Sequence, residues 1–191
     1  MGAESVAETE SLSLSRRPAV TVRPLAEDDG DALAAFGAAL PADDWLYLDI
    51  ELQNRHAVDR LINAHAATNW RQVVAVVQGE IVGYANVRLL PGWQRHVGDA
   101  YLVIGPSQRR RGLGAFLARA IVEAGAELGV GKLILQMLEE QADGRQIFER
   151  LGFRQEGLLI DQARDQHGRL HNLLVLAYHL HHQPEGIALP G

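Results

Sequence analysis

The chain has 191 residues, a hydrophobic fraction of 47%, a net charge of −6 and no cysteine. That length is most simply one domain with a sizeable core, and the missing thiols exclude disulfides, thiolate metal sites and a cysteine nucleophile. The acidic balance argues against nucleic-acid binding; the apolar runs are of strand length, too short for a membrane helix; and the acidic N-terminus lacks the basic and apolar parts of a signal peptide, so a cytoplasmic protein is expected.

Residues 1–17 are rich in Ser, Glu and Ala and predict a tail, although Leu12 and Leu14 alternate like a short edge strand. Ala19–Arg23 reads as a strand. Glu27-Asp28-Asp29 predicts a helix start with acidic residues at its positive end, running to about Leu40. After Pro41, Trp45, Leu46, Leu48, Ile50 and Leu52 lead into a helical region through Val58, Leu61 and Ile62. Gln72–Val77 and Ile81–Leu89 form a predicted hairpin around Gln78-Gly79-Glu80, and Asp99–Ile104 is the next strand.

After Gly112 the spacing of Leu113, Phe116, Leu117, Ala120, Ile121, Ala124 and Leu128 predicts an amphipathic helix, ended by Gly129 and Gly131. Lys132–Met137 is a short buried strand. Asp143 is placed to cap a short helix, with Gln146 completing a capping box. Ile147, Phe148 and Leu151 form its apolar side, and Gly152 stops it. Phe153–Ile160 and Leu170–Leu180 are the last strands, joined through Asp165-Gln166-His167-Gly168. This order of strands and helices implies a mixed α/β fold, a central mixed sheet of about seven strands flanked by helices. One domain over 18–182 is expected, with residues 183–191 as a C-terminal tail.

The chemistry concentrates in Val103-Ile104-Gly105-Pro106-Ser107-Gln108-Arg109-Arg110-Arg111-Gly112-Leu113-Gly114. A strand breaks at Gly-Pro, arginines follow, and a glycine turn opens a helix. Free N–H groups at such a helix start suit a pyrophosphate, and arginines add forked donors. A nucleoside-triphosphate loop is excluded because no Lys-Ser or Lys-Thr pair occurs. A dinucleotide fingerprint is a poor match because Leu117 stands where its third glycine belongs.

The segment Arg109-Arg110-Arg111-Gly112-Leu113-Gly114 instead resembles the acyl-coenzyme A loop of the GNAT (Gcn5-related N-acetyltransferase) superfamily, Arg/Gln-x-x-Gly-x-Gly/Ala. A second stretch, Gln141 to Phe153, is similar to the family segment Asn-x-x-Ala-x-x-Leu-Tyr-Glu-Lys-x-Gly-Phe. The resemblance spans about Val20 to Leu180. It implies direct transfer of an acetyl group from acetyl-CoA, a cosubstrate, to a primary amine of a small molecule or protein, with no metal. It further implies that Arg109, Arg110, Arg111, Gly112, Leu113, Gly114 and Ala115 meet the pyrophosphate. Leu102, Val103 and Ile104 would flank the pantetheine, and Gln141 and Phe148 would complete the site.

Two departures bear on mechanism. Gln141 replaces the family's Asn, and Phe148 replaces the Tyr that commonly protonates the leaving thiolate. For the general base, Asp99 is the first candidate, where many relatives carry Glu, and a water relay suits its shorter side chain. His96 follows, since histidine titrates near neutrality; His171 and Tyr101 are weaker candidates. His179, His181 and His182 lack a further ligand at metal spacing. Trp45, Tyr47 and Asp49 serve equally as an acceptor pocket or as a hydrophobic brace. The exposed edges of the hairpin and final strands leave room for a homodimer. The rival readings are a GNAT-fold protein that binds acyl-CoA without turnover, and a phosphate-binding domain with no preference for coenzyme A.

Overall fold

The computed structural model describes residues 19–41 and 51–180. The tail residues Leu12 and Leu14, the residues Trp45, Tyr47 and Asp49, and His181 and His182 lie outside the described residues. Eleven main elements follow one another: β1 (Val20–Pro24), α1 (Gly30–Ala38), α2 (Arg55–Asn63), β2 (Trp70–Val77), β3 (Glu80–Leu89), β4 (Val97–Ile104), α3 (Leu113–Glu127), β5 (Lys132–Leu138), α4 (Ala142–Arg150), β6 (Arg154–Arg164) and β7 (Leu170–His179). The strands form one seven-stranded sheet in the order β1-β2-β3-β4-β5-β7-β6. Every neighbouring pair is antiparallel except β4 and β5, which the crossover through α3 makes parallel.

Strand alternation divides the core. One face carries Ala75, Ala85, Val87, Ala100, Leu133, Leu135, Leu174 and Leu176, packed with Leu117 and Ile121 of α3 and Phe148 of α4. The opposite face carries Val74, Tyr84 and Val103 against Leu33 and Phe36 of α1 and Val58 and Leu61 of α2. Period-two patterning puts both sets in place with no side chain crossing the sheet.

Several local expectations shift. Glu27–Asp29 form a single 3-10 turn, and the α-helix starts only at Gly30. The reason is Asp29, which turns inward: Arg23 donates to both its carboxylate oxygens at 2.6 and 2.7 Å, and the Ala26 N–H donates at 2.8 Å. The Arg23 guanidinium holds this carboxyl well below the usual range. Asp143 is not the cap of α4. Gln141 occupies that position, and Asp143 sits in the first turn, bonded to Arg110 at 3.3 Å. Phe116 falls on the flank of the buried stripe of α3 and is 53% exposed, while Leu113, Leu117 and Ile121 are buried. The last strand ends at His179 rather than Leu180. α2 is capped by Asn54, whose side chain accepts from the His56 N–H at 3.0 Å.

The face toward α2 holds a buried polar chain. Trp70 Nε1 donates to Asn86 Oδ1 at 3.1 Å, and Asn86 Nδ2 donates to the Tyr84 hydroxyl at 3.3 Å. That hydroxyl donates to Gln72 Oε1 at 2.7 Å, and Gln72 Nε2 donates to the Leu61 carbonyl at 2.9 Å. Gln72, Tyr84 and Asn86 are all buried. Burying such groups is tolerated because each is partnered, and the Tyr84 phenol is pushed far above its ordinary value by desolvation. Among the described residues, no helix is long and apolar enough to cross a membrane.

Candidate functional site

β4 and β5 pair over only three positions: Val97 with Lys132, Gly98 with Leu133 and Asp99 with Ile134. Beyond Asp99 the strands part, although β4 stays paired with β3 as far as Ile104 and β5 with β7 as far as Leu138. A wedge therefore opens inside an otherwise continuous sheet. Its facing backbone N–H and C=O groups lack the ladder partners that a sheet interior normally supplies. Such an edge can bond an extended ligand inserted between the strands.

The mouth of this wedge is the arginine loop. Pro106–Gln108 make one 3-10 turn, and Arg109 is extended with its side chain Nε donating to the Ile104 carbonyl at 3.1 Å. Arg110 takes a left-handed conformation, φ +57, and so does Gly112, φ +88. At Gly112, the N-terminal cap of α3, an added Cβ would meet open space, so the backbone angle rather than crowding demands glycine. At Gly114 the reason is contact: an added Cβ would lie 2.8 Å from Ile147 Cδ1. α3 thus starts hard against α4 and the end of β4.

No side chain caps α3, and its first bond runs from the Phe116 N–H to the Gly112 carbonyl. The N–H groups of Leu113, Gly114 and Ala115 have no helical acceptor and share the positive end of the dipole. A glycine cap supplies no side-chain acceptor for them, as a Ser or Asp cap would.

The remaining predicted residues divide clearly. Leu102 and Ile104 face α3, beside the wedge, whereas Val103 buries its side chain toward α1 and α2 and offers the wedge only its backbone. Gln141 turns its Oε1 to the Leu138 N–H at 3.0 Å, satisfying the last residue of β5 and leaving its amide nitrogen for a ligand. Phe148 is buried, edge-on to Phe153 with ring centroids 5.2 Å apart. Arg111 is exposed at the turn.

Asp99 is half-buried at the vertex, the last β4 residue paired to β5. His96 lies three residues back, roughly 10 Å along the strand, exposed, with its carbonyl accepting from Gly131 and Lys132. The hydroxyl of Tyr101 is buried on the α1–α2 face. His171 is clamped: Nδ1 lies 3.0 Å from Glu140 and Nε2 3.2 Å from Asp165. Glu140 first, then Asp165, raises its pKa above the ordinary histidine value, and both ring nitrogens are already engaged by carboxylates. His179 bonds Glu156 at 2.9 Å. Among the described residues no cluster of His, Cys, Asp or Glu is arranged to hold a metal.

A family model described as Acetyltransferase (GNAT) family matches residues 38–153. The chain belongs to the GNAT acetyltransferase family. No curated protein matches closely enough to count as a relative. The GNAT family acetyltransferase of Streptococcus pneumoniae superposes with a TM-score of 0.75 at 20% identity, covering 85% of this chain and all (100%) of that one. YncA of Salmonella typhimurium, solved with its cofactor acetyl-CoA, gives a TM-score of 0.74 at 15% identity, covering 89% and 99% of the two chains. Ribosomal-protein-alanine N-acetyltransferase of Brucella melitensis gives 0.71 at 24%, covering 84% and 99%. At these identities the likeness is one of fold, and in this GNAT chain the acceptor has to be argued from its own side chains.

The row Trp70–Arg88–Asp99 is not visible along the chain, because it depends on strand register. These residues occupy matching register positions on β2, β3 and β4. The only sequence signal was the alternation of Tyr84, Asn86 and Arg88 on one strand face.

Proposed function

We propose that this chain, as one domain over residues 18–182, is an N-acetyltransferase that moves an acetyl group directly from acetyl-CoA to a primary amine. The observation that carries the reading is the wedge: β4 and β5 part just past Asp99, with the uncapped start of α3 at the open end. The acyl-CoA supplies an activated thioester carbonyl. Leu113, Gly114 and Ala115 would hold its pyrophosphate through their N–H groups, supported by the charges of Arg109, Arg110 and Arg111. Leu102, Ile104 and the backbone of Val103 would line one wall of the wedge, and Gln141 Nε2 would reach the arm. The buried Phe148 would pack behind it.

At the vertex Asp99 takes a proton from the incoming ammonium, through a water given its short side chain. His96, three residues away, is the alternative acceptor of that proton. The neutral amine attacks the carbonyl and a C–N bond forms; the C–S bond then breaks with its electron pair leaving on sulfur, and the second proton on nitrogen passes to water as the amide forms. Phe148 donates no proton, so the thiolate leaves unassisted or takes one from water, which a thiol pKa of about 8.5 permits.

One observation favours a second reading, binding of acyl-CoA without turnover: the family's hydroxyl is replaced by a buried ring at Phe148. Titration calorimetry with acetyl-CoA, with ADP as control, followed by thiol release across an amine panel, separates the two. Binding with amine-dependent thiol release supports the enzyme, binding without release on any amine supports the second reading, and Arg109→Ala binding acetyl-CoA as well as wild type would remove the loop assignment. A cytoplasmic location belongs to the same proposal. So does a homodimer through edge strand β6, where Leu158 and Ile160 are exposed; sedimentation tests that part.

A further inference from the structure

Arg88 has no role in the chemistry above, yet it stands beside it. It pairs in register with Asp99 on one side and with Trp70 on the other. All three side chains spring from the face that carries Tyr84 and Val103. Cross-strand neighbours of this kind have Cβ atoms about 5 Å apart. Arg88 does not reach across to Asp99. Its guanidinium carbon lies 5.2 Å from the centroid of the Trp70 ring, on the β2 side. Among the described residues it enters no ion pair, and it is exposed.

A guanidinium stacked on an indole keeps its N–H edge available while the ring occupies one face. What distinguishes this pair from ordinary surface packing is how firmly the indole is held. Trp70 Nε1 is tied to Asn86, Asn86 to Tyr84, Tyr84 to Gln72, and Gln72 to the Leu61 carbonyl of α2. Three buried polar side chains are spent on one ring orientation. A fully satisfied buried network specifies a single geometry, and that geometry fixes the ring on which the guanidinium rests, on the sheet face that also carries Asp99.

We propose that Arg88 binds the carboxylate of the acceptor, so that the substrate class is a free α-amino acid with its amine at Asp99 and its carboxylate on the Arg88 fork. This rests on the acetyltransferase reading. In such a ligand amine and carboxylate are separated by one carbon, and the neighbouring register positions let one short molecule touch both. An exposed lysine would supply the charge but not the planar fork that matches a carboxylate.

The test uses the full chain and matched pairs: leucine with 3-methylbutylamine, tyrosine with tyramine, histidine with histamine. Thiol release from acetyl-CoA gives kcat and KM, and ligand-observed NMR with the coenzyme A-loaded protein gives binding without turnover. The amino acid of at least one pair is expected to be preferred about tenfold or more, through KM, as the loss of a charge-assisted pair implies. Arg88→Met, which keeps the apolar stem on Trp70, should abolish that preference and leave the decarboxylated amine unaffected. Arg88→Lys should restore only part of it. Preference for the decarboxylated partner throughout, equal loss on both members in Arg88→Met, or no amino acid bound or turned over would overturn the assignment. If acetyl-CoA itself fails to bind, the acetyltransferase reading falls, and NMR binding of the amino acids without coenzyme A, lost in Arg88→Met, still decides the carboxylate site.

Discussion

Replacing Tyr84 with Phe removes one hydroxyl and leaves the ring volume in place, so the cost is polar rather than a cavity. The hydroxyl is fully buried and serves two partners, donating to Gln72 Oε1 at 2.7 Å and accepting from Asn86 Nδ2 at 3.3 Å. Each partner keeps its other contact, Gln72 Nε2 on Leu61 and Asn86 Oδ1 on Trp70, so one acceptor and one donor are orphaned. A buried orphan costs about 1–3 kcal/mol, and the longer Asn86 bond belongs at the low end. The expected loss is therefore about 2–4 kcal/mol, and at about 2–4 °C per kcal/mol for a chain of this size the melting temperature falls by roughly 5–15 °C. Urea unfolding should show it as a lower midpoint at constant slope. Gln72→Leu added to Tyr84→Phe removes the orphaned acceptor, and the Leu61 carbonyl keeps its bond from the Ala64 N–H. The double variant should then lose less than the sum of the two single variants. A loss below about 1 kcal/mol for Tyr84→Phe, or strict additivity in the double variant, refutes the claim that these groups form one satisfied network.

Asp99→Asn should lower kcat by about a hundredfold or more while leaving acetyl-CoA affinity unchanged by calorimetry; full activity would remove Asp99 as the base. Gly112→Ala meets no steric obstacle but forces a side chain into φ +88, so it should cost about 1 kcal/mol or more in stability and weaken acetyl-CoA binding; unchanged affinity would separate the turn from the pyrophosphate. Phe148→Tyr places a hydroxyl beside Phe153 in the core and should lower stability by about 1–3 kcal/mol with the fold kept. A large rate gain in the same variant would identify the missing acid as limiting. His171, held between Glu140 and Asp165, has a raised pKa, so its contribution to stability is complete below the ordinary histidine value of about 6.5 and is lost as pH rises through the higher folded value. His171→Asn should flatten the stability profile above neutrality, and an NMR titration with His171 neutral at pH 6.5 or below would contradict the clamp.

How much was legible without the structure follows from the range of each interaction. The apolar run after Gln72, closed by the turn at Gln78-Gly79-Glu80, and the apolar stripe after Gly112 are signals between near neighbours, as is the left-handed glycine that opens the helix after Arg109, so those elements and the glycine turn are legible residue by residue. Phe116 was misplaced because a helical stripe has flanks whose burial depends on what packs against them. Asp143 falls inside the first turn because the helix starts two residues earlier than a side-chain cap would place it, with Gln141 at the cap position and no side chain capping it.

The amino-acid sequence by itself determined the elements, their order and the glycine turn, because these depend on neighbours within a few positions along the chain. Only the tertiary structure decided where β4 leaves β5, which side chains share the row Trp70–Arg88–Asp99, and how His171 is trapped between Glu140 and Asp165. Each of those depends on strand register, and register is chosen by the packing of two whole sheet faces against their helices.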